Sequence, residues 1–204
     1  MSGSNCCAPE CVHLFLRKPD GTFAARREIT FELPGHNNFL MRGLARPHLL
    51  DWDRDGHTDL VVGYPLEWTL YVSAGPLAGK SEVKVKPFAL PQVPNARPWH
   101  FGFADWDGDG KFDLLAAVEQ QGKGKDDPSS YGIYWFRNTS AKGEPKFEAA
   151  RRILTIPAPW ELEAFSVVDW DQDGHLDLVV SVSPGLKGIG GVTSRQIWVY
   201  RRKA

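Results

Sequence analysis

The chain of 204 residues is expected to fold as an all-β protein. An acidic segment is written three times: DWDRDGHTDLVVG from Asp51, DWDGDGKFDLLAA from Asp105 and DWDQDGHLDLVVS from Asp169. The apolar runs that close these segments are short, rich in branched residues and bounded by Gly, Pro, Asp or Asn, as strands are. No stretch sustains a helical period. Twenty Gly and fifteen Pro stand beside eight Trp, turn residues together with aromatics that fill a pleated surface.

The acidic copies start 54 and then 64 residues apart, and the material between them also aligns. The repeating unit reads as four strands, A to D. Strand A leads into the acidic loop, as in FGFADW and FSVVDW. Strand B leaves it, as DLVVG, DLLAAV and DLVVSV. Strand C is an aromatic run such as IYWFRN, and strand D follows a polar turn, as in KFEAARRIL. The same C–turn–D shape opens the chain at 12–29, and QIWVYRR at 196–202 repeats strand C. The ten extra residues of the second repeat fall in the B–C loop, EQQGKGKDDPSSYG, a solvated insertion.

Short antiparallel strands recurring in fours at this period predict β-propeller blades. Strands A and B then sit near the central channel, apolar on both faces. That accounts for the unbroken runs Leu60-Val61-Val62 and Leu178-Val179-Val180. The blades occupy 12–204, with acidic loops at 51–59, 105–113 and 169–177. Residues 1–11 are expected to be a disordered, cysteine-bearing end. Cys6, Cys7 and Cys11 are an odd set without a second cluster, a poor zinc signal, although one local bridge to Cys11 is open in an oxidising compartment. No basic and apolar leader of signal-peptide type opens the chain. A formal net charge of −1 gives no bulk attraction to nucleic acid. No apolar run approaches the ~18 residues that span a bilayer.

Each loop places carboxylates at positions 1, 3, 5 and 9 and Gly at 6. The sets are Asp51, Asp53, Asp55 and Asp59; Asp105, Asp107, Asp109 and Asp113; and Asp169, Asp171, Asp173 and Asp177. Carboxylates so crowded repel unless a cation compensates them. Ca2+ takes six to eight oxygens, position 7 supplying only its backbone carbonyl, so that His57, Lys111 and His175 are all acceptable there. An EF-hand would need Glu at position 12, where Val62, Ala116 and Val180 stand. Mg2+ fits less well, because it keeps waters and a strict octahedron. Twelve of the 25 acidic residues lie in these loops, and three Ca2+ per chain would carry the formal charge from −1 to +5. Trp52, Trp106 and Trp170, at position 2, are expected to pack between blades.

The loop D-x-D-x-D-G-x-x-D-L, complete in all three copies, resembles the calcium loop of the FG-GAP/VCBS repeat family, propellers of the integrin α-subunit type. Phe101-Gly102 supplies the Phe-Gly element once. The resemblance covers roughly residues 12–202. It implies a calcium-stabilised propeller, extracellular, at the cell surface or periplasmic, used for adhesion, glycan binding or as an appendage to secreted enzymes.

A propeller ring holds ~4–8 blades, and three curve too sharply to close. Either the chain is a piece of a longer protein or copies assemble, and in the second case the expected partner is another copy of the chain. Its N-terminal D strand, 22–31, would complete this chain's last blade by strand addition and give a homodimer. On the rim opposite the acidic loops, Trp68, Trp99 and Trp160 are candidates to stack on sugar rings, with Asn37, Asn38, Arg97 and Glu161 as hydrogen-bonding partners; the bland alternative is that these indoles cap the core. The function expected is a recognition or adhesion module for a glycan or cell-surface protein. Two readings stand beside it: a self-assembling propeller fragment with no ligand beyond calcium, and a polysaccharide lyase or hydrolase on the same scaffold. The last finds no Gly-x-Ser-x-Gly, no His-Glu-x-x-His and no carboxylate pair outside the loops, so no catalytic residue is assigned.

Overall fold

The computed structural model describes residues 10–33, 45–73, 75, 77, 79–122, 129–184 and 194–202. Among them are thirteen strands and no helix. A hairpin of β1 (Glu10–Leu14) and β2 (Arg27–Glu32) comes first. The first full unit follows as β3 (Arg46–Leu50), β4 (Asp59–Gly63), β5 (Thr69–Ser73) and β6 (Glu82–Ala89). The second unit is β7 (Ala96–Ala104), β8 (Asp113–Gln120), β9 (Ser130–Phe136) and β10 (Arg151–Ile156). The last is β11 (Trp160–Val168), β12 (Asp177–Pro184) and β13 (Gln196–Tyr200). Within each unit the strands pair antiparallel in chain order, which is the four-stranded blade the repeat predicts. The last sheet has three strands among the described residues.

The hairpin joins the first sheet, whose order is β1-β2-β6-β5-β4-β3. Strand β6 serves two neighbours: its last residues pair antiparallel with β5, while Glu82–Lys84 run parallel to β2. Strand β2, the one expected to be offered to a second chain, thus lies between β1 and β6, paired on both edges within its own chain.

Alternation across the sheets stacks the units face to face. In β4, Leu60 and Val62 point towards the hairpin, joining Ile29, Phe31 and Tyr71, while Val61 points into the second unit beside Leu70, Phe101 and Leu114. In β8, Leu114 and Ala116 look back and Leu115 and Ala117 look forward, onto Phe165, Leu178 and Val180 of the last unit. All five residues of β4 are buried, as are the first six of β8. A strand between two apolar neighbours needs apolar residues on both faces, hence the unbroken hydrophobic runs.

Two glycines set the spacing of the units. A Cβ on Gly63 would stand 2.6 Å from the Phe101 ring of the second unit. One on Gly102 would stand 2.9 Å from the Phe165 ring of the third. The Phe-Gly pair of the sequence therefore has a packing reason: Phe101 presses back onto one unit while Gly102 admits the phenylalanine of the next.

Candidate metal centres in the acidic loops

Each loop connects strand A to strand B of one unit, and the fold closes it in the same way three times. The first aspartate turns its carboxylate into the loop. Asp51 accepts from the N–H of Asp55 and of Gly56 (both 3.0 Å), Asp105 from Gly110 (2.9 Å), and Asp169 from Asp173 (3.1 Å) and Gly174 (3.0 Å). Position 5 caps position 7, with His57 N–H donating to Asp55 at 2.8 Å and His175 N–H to Asp173 at 2.8 Å. The turn needs left-handed backbone at two places. Gly56, Gly110 and Gly174 hold φ of 92°, 82° and 89°, and position 4 is left-handed as well, at Arg54 (58°), Gly108 (78°) and Gln172 (59°). The first demand was legible in the repeated glycine. The second was not, because only one copy spends a glycine there.

Position 9 is the buried member of the set, with Asp59, Asp113 and Asp177 all buried. Each accepts from the backbone N–H of the position-2 tryptophan, at 3.1, 3.2 and 3.0 Å. Its other oxygen is held from the end of strand C: by Ser73 Oγ–H in the first unit (3.2 Å), by the Asn138 N–H in the second (2.7 Å) and by the Arg202 N–H in the third (2.8 Å). These strand-C partners are the site residues that sequence reading missed. Two act through the backbone, which leaves no side-chain signal. Burial pushes the Asp59 and Asp113 carboxyls up from the ordinary range, against the pull of these hydrogen bonds.

Carboxylate oxygens converge in every copy: Asp51, Asp53 and Asp59 in the first, Asp105, Asp107 and Asp109 in the second, and Asp169, Asp171 and Asp177 in the third each bring one oxygen within 4.8 Å of the others. The donor set is oxygen alone, which suits a hard divalent cation. The second loop differs in its surroundings. Arg137 reaches Asp107 (2.6 Å) and Asp109 (3.3 Å), and Lys111 reaches Asp109. Burial raises the Asp109 carboxyl, but the hydrogen bonds from Lys111 and the two cations outweigh it and hold the group below its ordinary range. Arg201 stands 3.4 Å from Asp171 in the third loop.

A model of the FG-GAP-like repeat matches residues 51–116, from the first aspartate of one loop through the whole of the next. This stretch is an FG-GAP-like repeat. Neither the curated proteins nor the solved structures compared with the chain gave a match. The match begins in the A–B loop of one unit, runs across β4–β7 and ends four residues into β8, strand B of the next.

The position-2 tryptophans depart from expectation in one copy. Trp52 is buried between units among Phe88, Phe103, Phe112 and Phe147, with ring centroids 5.0 to 6.2 Å away. Trp106 packs against the third unit under the Arg202 guanidinium. Trp170 is 58% exposed, because among the described residues no further unit stacks on the last sheet.

The residues expected on the opposite rim are spread over the units. Trp68 is packed between the first two units, its indole N–H donating to the Ala96 carbonyl at 3.1 Å. Arg97 and Trp99 lie in β7, where the register breaks between Pro98 and His100, and this bulge turns Trp99 partly outward. Trp160 and Glu161 open β11, and the Trp160 ring meets Trp198 at 5.2 Å. Asn37 and Asn38 lie outside the described residues, as do Cys6 and Cys7; Cys11 is a free, exposed thiol in β1. Its sulfur lies near His13 and Glu28 on the same face of the hairpin.

Proposed function

We propose that this chain is a calcium-binding recognition module of an extracellular protein, its blades clamped by one Ca2+ in each acidic loop. The observation that supports it most is an oxygen-only cluster of three carboxylates at every A–B junction, from positions 1, 3 and 9 in the first and third loops and positions 1, 3 and 5 in the second. In each copy a buried position-9 carboxylate opens strand B while the position-1 carboxylate ends strand A. In the first and third loops, where both converge, a cation shared between them would tie the two inner strands of a blade together. It also compensates carboxylates that are otherwise forced close in a partly desolvated turn. Extracellular calcium modules work at ~10⁻⁴–10⁻³ M affinity, a range that serves a structural clamp outside the cell.

The recognition surface of this reading is the rim opposite the acidic loops, with a glycan as its ligand. Trp99 supports that choice: it is turned outward by the bulge at the start of strand A, beside Arg97. Aromatic faces paired with hydrogen-bonding side chains suit sugar rings.

Calcium titration followed by heat capacity or ellipticity tests the clamp. Saturating calcium is expected to raise the melting temperature, and a chelator to reverse it. An unchanged melt in both would remove the proposal. Glycan-array binding in calcium, compared between the parent chain and Trp99→Ala, tests the rim. Equal binding by both would place recognition elsewhere.

A further inference from the structure

The face of the last sheet that looks away from its neighbour is apolar and uncovered among the described residues. The repeat itself supplies the comparison. Leu70 and Ile133 hold one position of strand C in the first two units and are 0% exposed, whereas Ile197 holds it in the last and is 65% exposed. Trp52 is 3% exposed and Trp170, its equivalent, 58%. Val168, Val179 and Val199 complete the patch; their equivalents in the first unit, Leu50, Val61 and Val72, are all packed against the second unit. Exposed apolar surface of this extent, on positions that are core elsewhere in the same chain, marks an interaction face.

The opposite end of the stack is incomplete in a complementary way. The hairpin β1–β2 covers Leu60 and Val62 of β4 as well as Tyr71 and Val83, and among the described residues it is β3, the inner edge strand, that is left partly bare. Leu49 is 51% exposed there. It borders an apolar cavity of about 160 Å3 with Val12, Leu14, Pro47 and Leu60. The equivalents of Leu49, Phe103 and Val167, are each packed onto the preceding unit. Among the described residues β1 is a free sheet edge at this end, and β13 is a free edge at the other.

We propose that a second copy of this chain docks head to tail. The bare face of its last sheet covers the Leu49 cavity, and its β13 lies beside β1. The hairpin sheet would then be extended past its β1 edge by β13 of the other copy, which would cover Leu49 of β3. The contact would place Leu49 under apolar strands as its equivalents Phe103 and Val167 are placed inside the chain, which is why a copy of the same chain is the occupant that fits. A head-to-tail contact either propagates or closes. Two copies make two such junctions about a two-fold axis and leave neither apolar end in water. This differs from the strand addition expected from sequence, because β2 stays where it is. It rests on the stacking of the units and not on the calcium reading.

The test is mass in solution by light scattering, in calcium, for the full chain and two variants, Ile197→Lys on the bare face and Leu49→Asp at the cavity. The parent is expected at twice the chain mass and each variant alone at the chain mass, with far-ultraviolet ellipticity unchanged. Mixed in equal amounts, the variants are expected to recover a two-chain species, since one junction of the pair then keeps both native surfaces. A parent that stays at the chain mass up to high micromolar concentration would overturn the proposal. So would a parent that grows beyond two copies, or a two-chain parent that both variants leave intact. A mixture of the variants that stays at the chain mass would also count against it.

Discussion

At the scale of single residues, the position-9 aspartates carry the most. Asp59 is buried, yet it holds the Trp52 N–H and the Ser73 hydroxyl. Asp59→Asn is expected to lose one bound calcium and about 1–3 kcal/mol of stability in saturating calcium. Calorimetry in calcium and in chelator checks this, the difference between parent and variant being smaller in chelator. Gly63 is a second sensitive point. In Gly63→Ala the new methyl meets the buried Phe101 ring at 2.6 Å and the Leu70 side chain at 3.3 Å, and neither can withdraw without opening the junction between units. Overpacking of this kind costs about 1–3 kcal/mol, read from denaturant unfolding. His100 gives the fold a pH dependence separate from the carboxylates. Burial, with smaller contributions from His48 and Arg46, pushes it from 6.5 down to about 4, and its Nδ1 accepts from the Phe165 N–H. The folded chain keeps His100 neutral while the unfolded chain protonates it below about 6.5. Its contribution is therefore full above pH 6.5 and is lost progressively towards pH 4. His100→Asn keeps an acceptor without the titration, so its stability profile should fall less than the parent's over that window. Parallel profiles would contradict the assignment.

At the scale of elements, the loops share a backbone but not an electrostatic setting. In the second loop Arg137 and Lys111 already compensate Asp107 and Asp109, so a cation must compete with them. That loop is expected to bind calcium most weakly. Arg137→Gln is expected to tighten it by a few-fold while lowering the melting temperature of the calcium-free chain, both measured by titration and melting of the same sample. Much of the element structure was legible in the sequence. The triple acidic segment located every A–B junction, and the runs after it located β4, β8 and β12, because a strand packed on both faces has nowhere to place a polar residue. The ends of the outer strands were less legible. Strand D of the second unit begins at Arg151, five residues into the run KFEAARRIL, because Asn138 gathers the Ser140 and Lys146 N–H groups and holds the chain in a turn instead.

At the scale of the whole molecule, the repeat announced the stacking of units but not the path of the hairpin. Nothing in TFAARREITF says that it will run parallel to β6, since that pairing is fixed by the apolar face of the first unit, which draws Ile29 and Phe31 inward. The exposure of Trp170 was likewise invisible in a sequence that writes the same residue three times, because burial is decided by what stacks next and not by the residue itself. Among the candidate site residues, the carboxylates were legible by spacing alone, while two of their three supports at the end of strand C, Asn138 and Arg202, act through backbone N–H groups and leave no pattern to read. The central claim concerns the molecule as a unit: one cation clamp per repeat. The most direct measurement is calcium stoichiometry by native mass spectrometry on the full chain, alongside the position-1 variants Asp51→Asn, Asp105→Asn and Asp169→Asn. The account predicts three Ca2+ per chain, with each substitution removing one. A chain that binds no calcium, or whose stoichiometry is indifferent to all three substitutions, would contradict it.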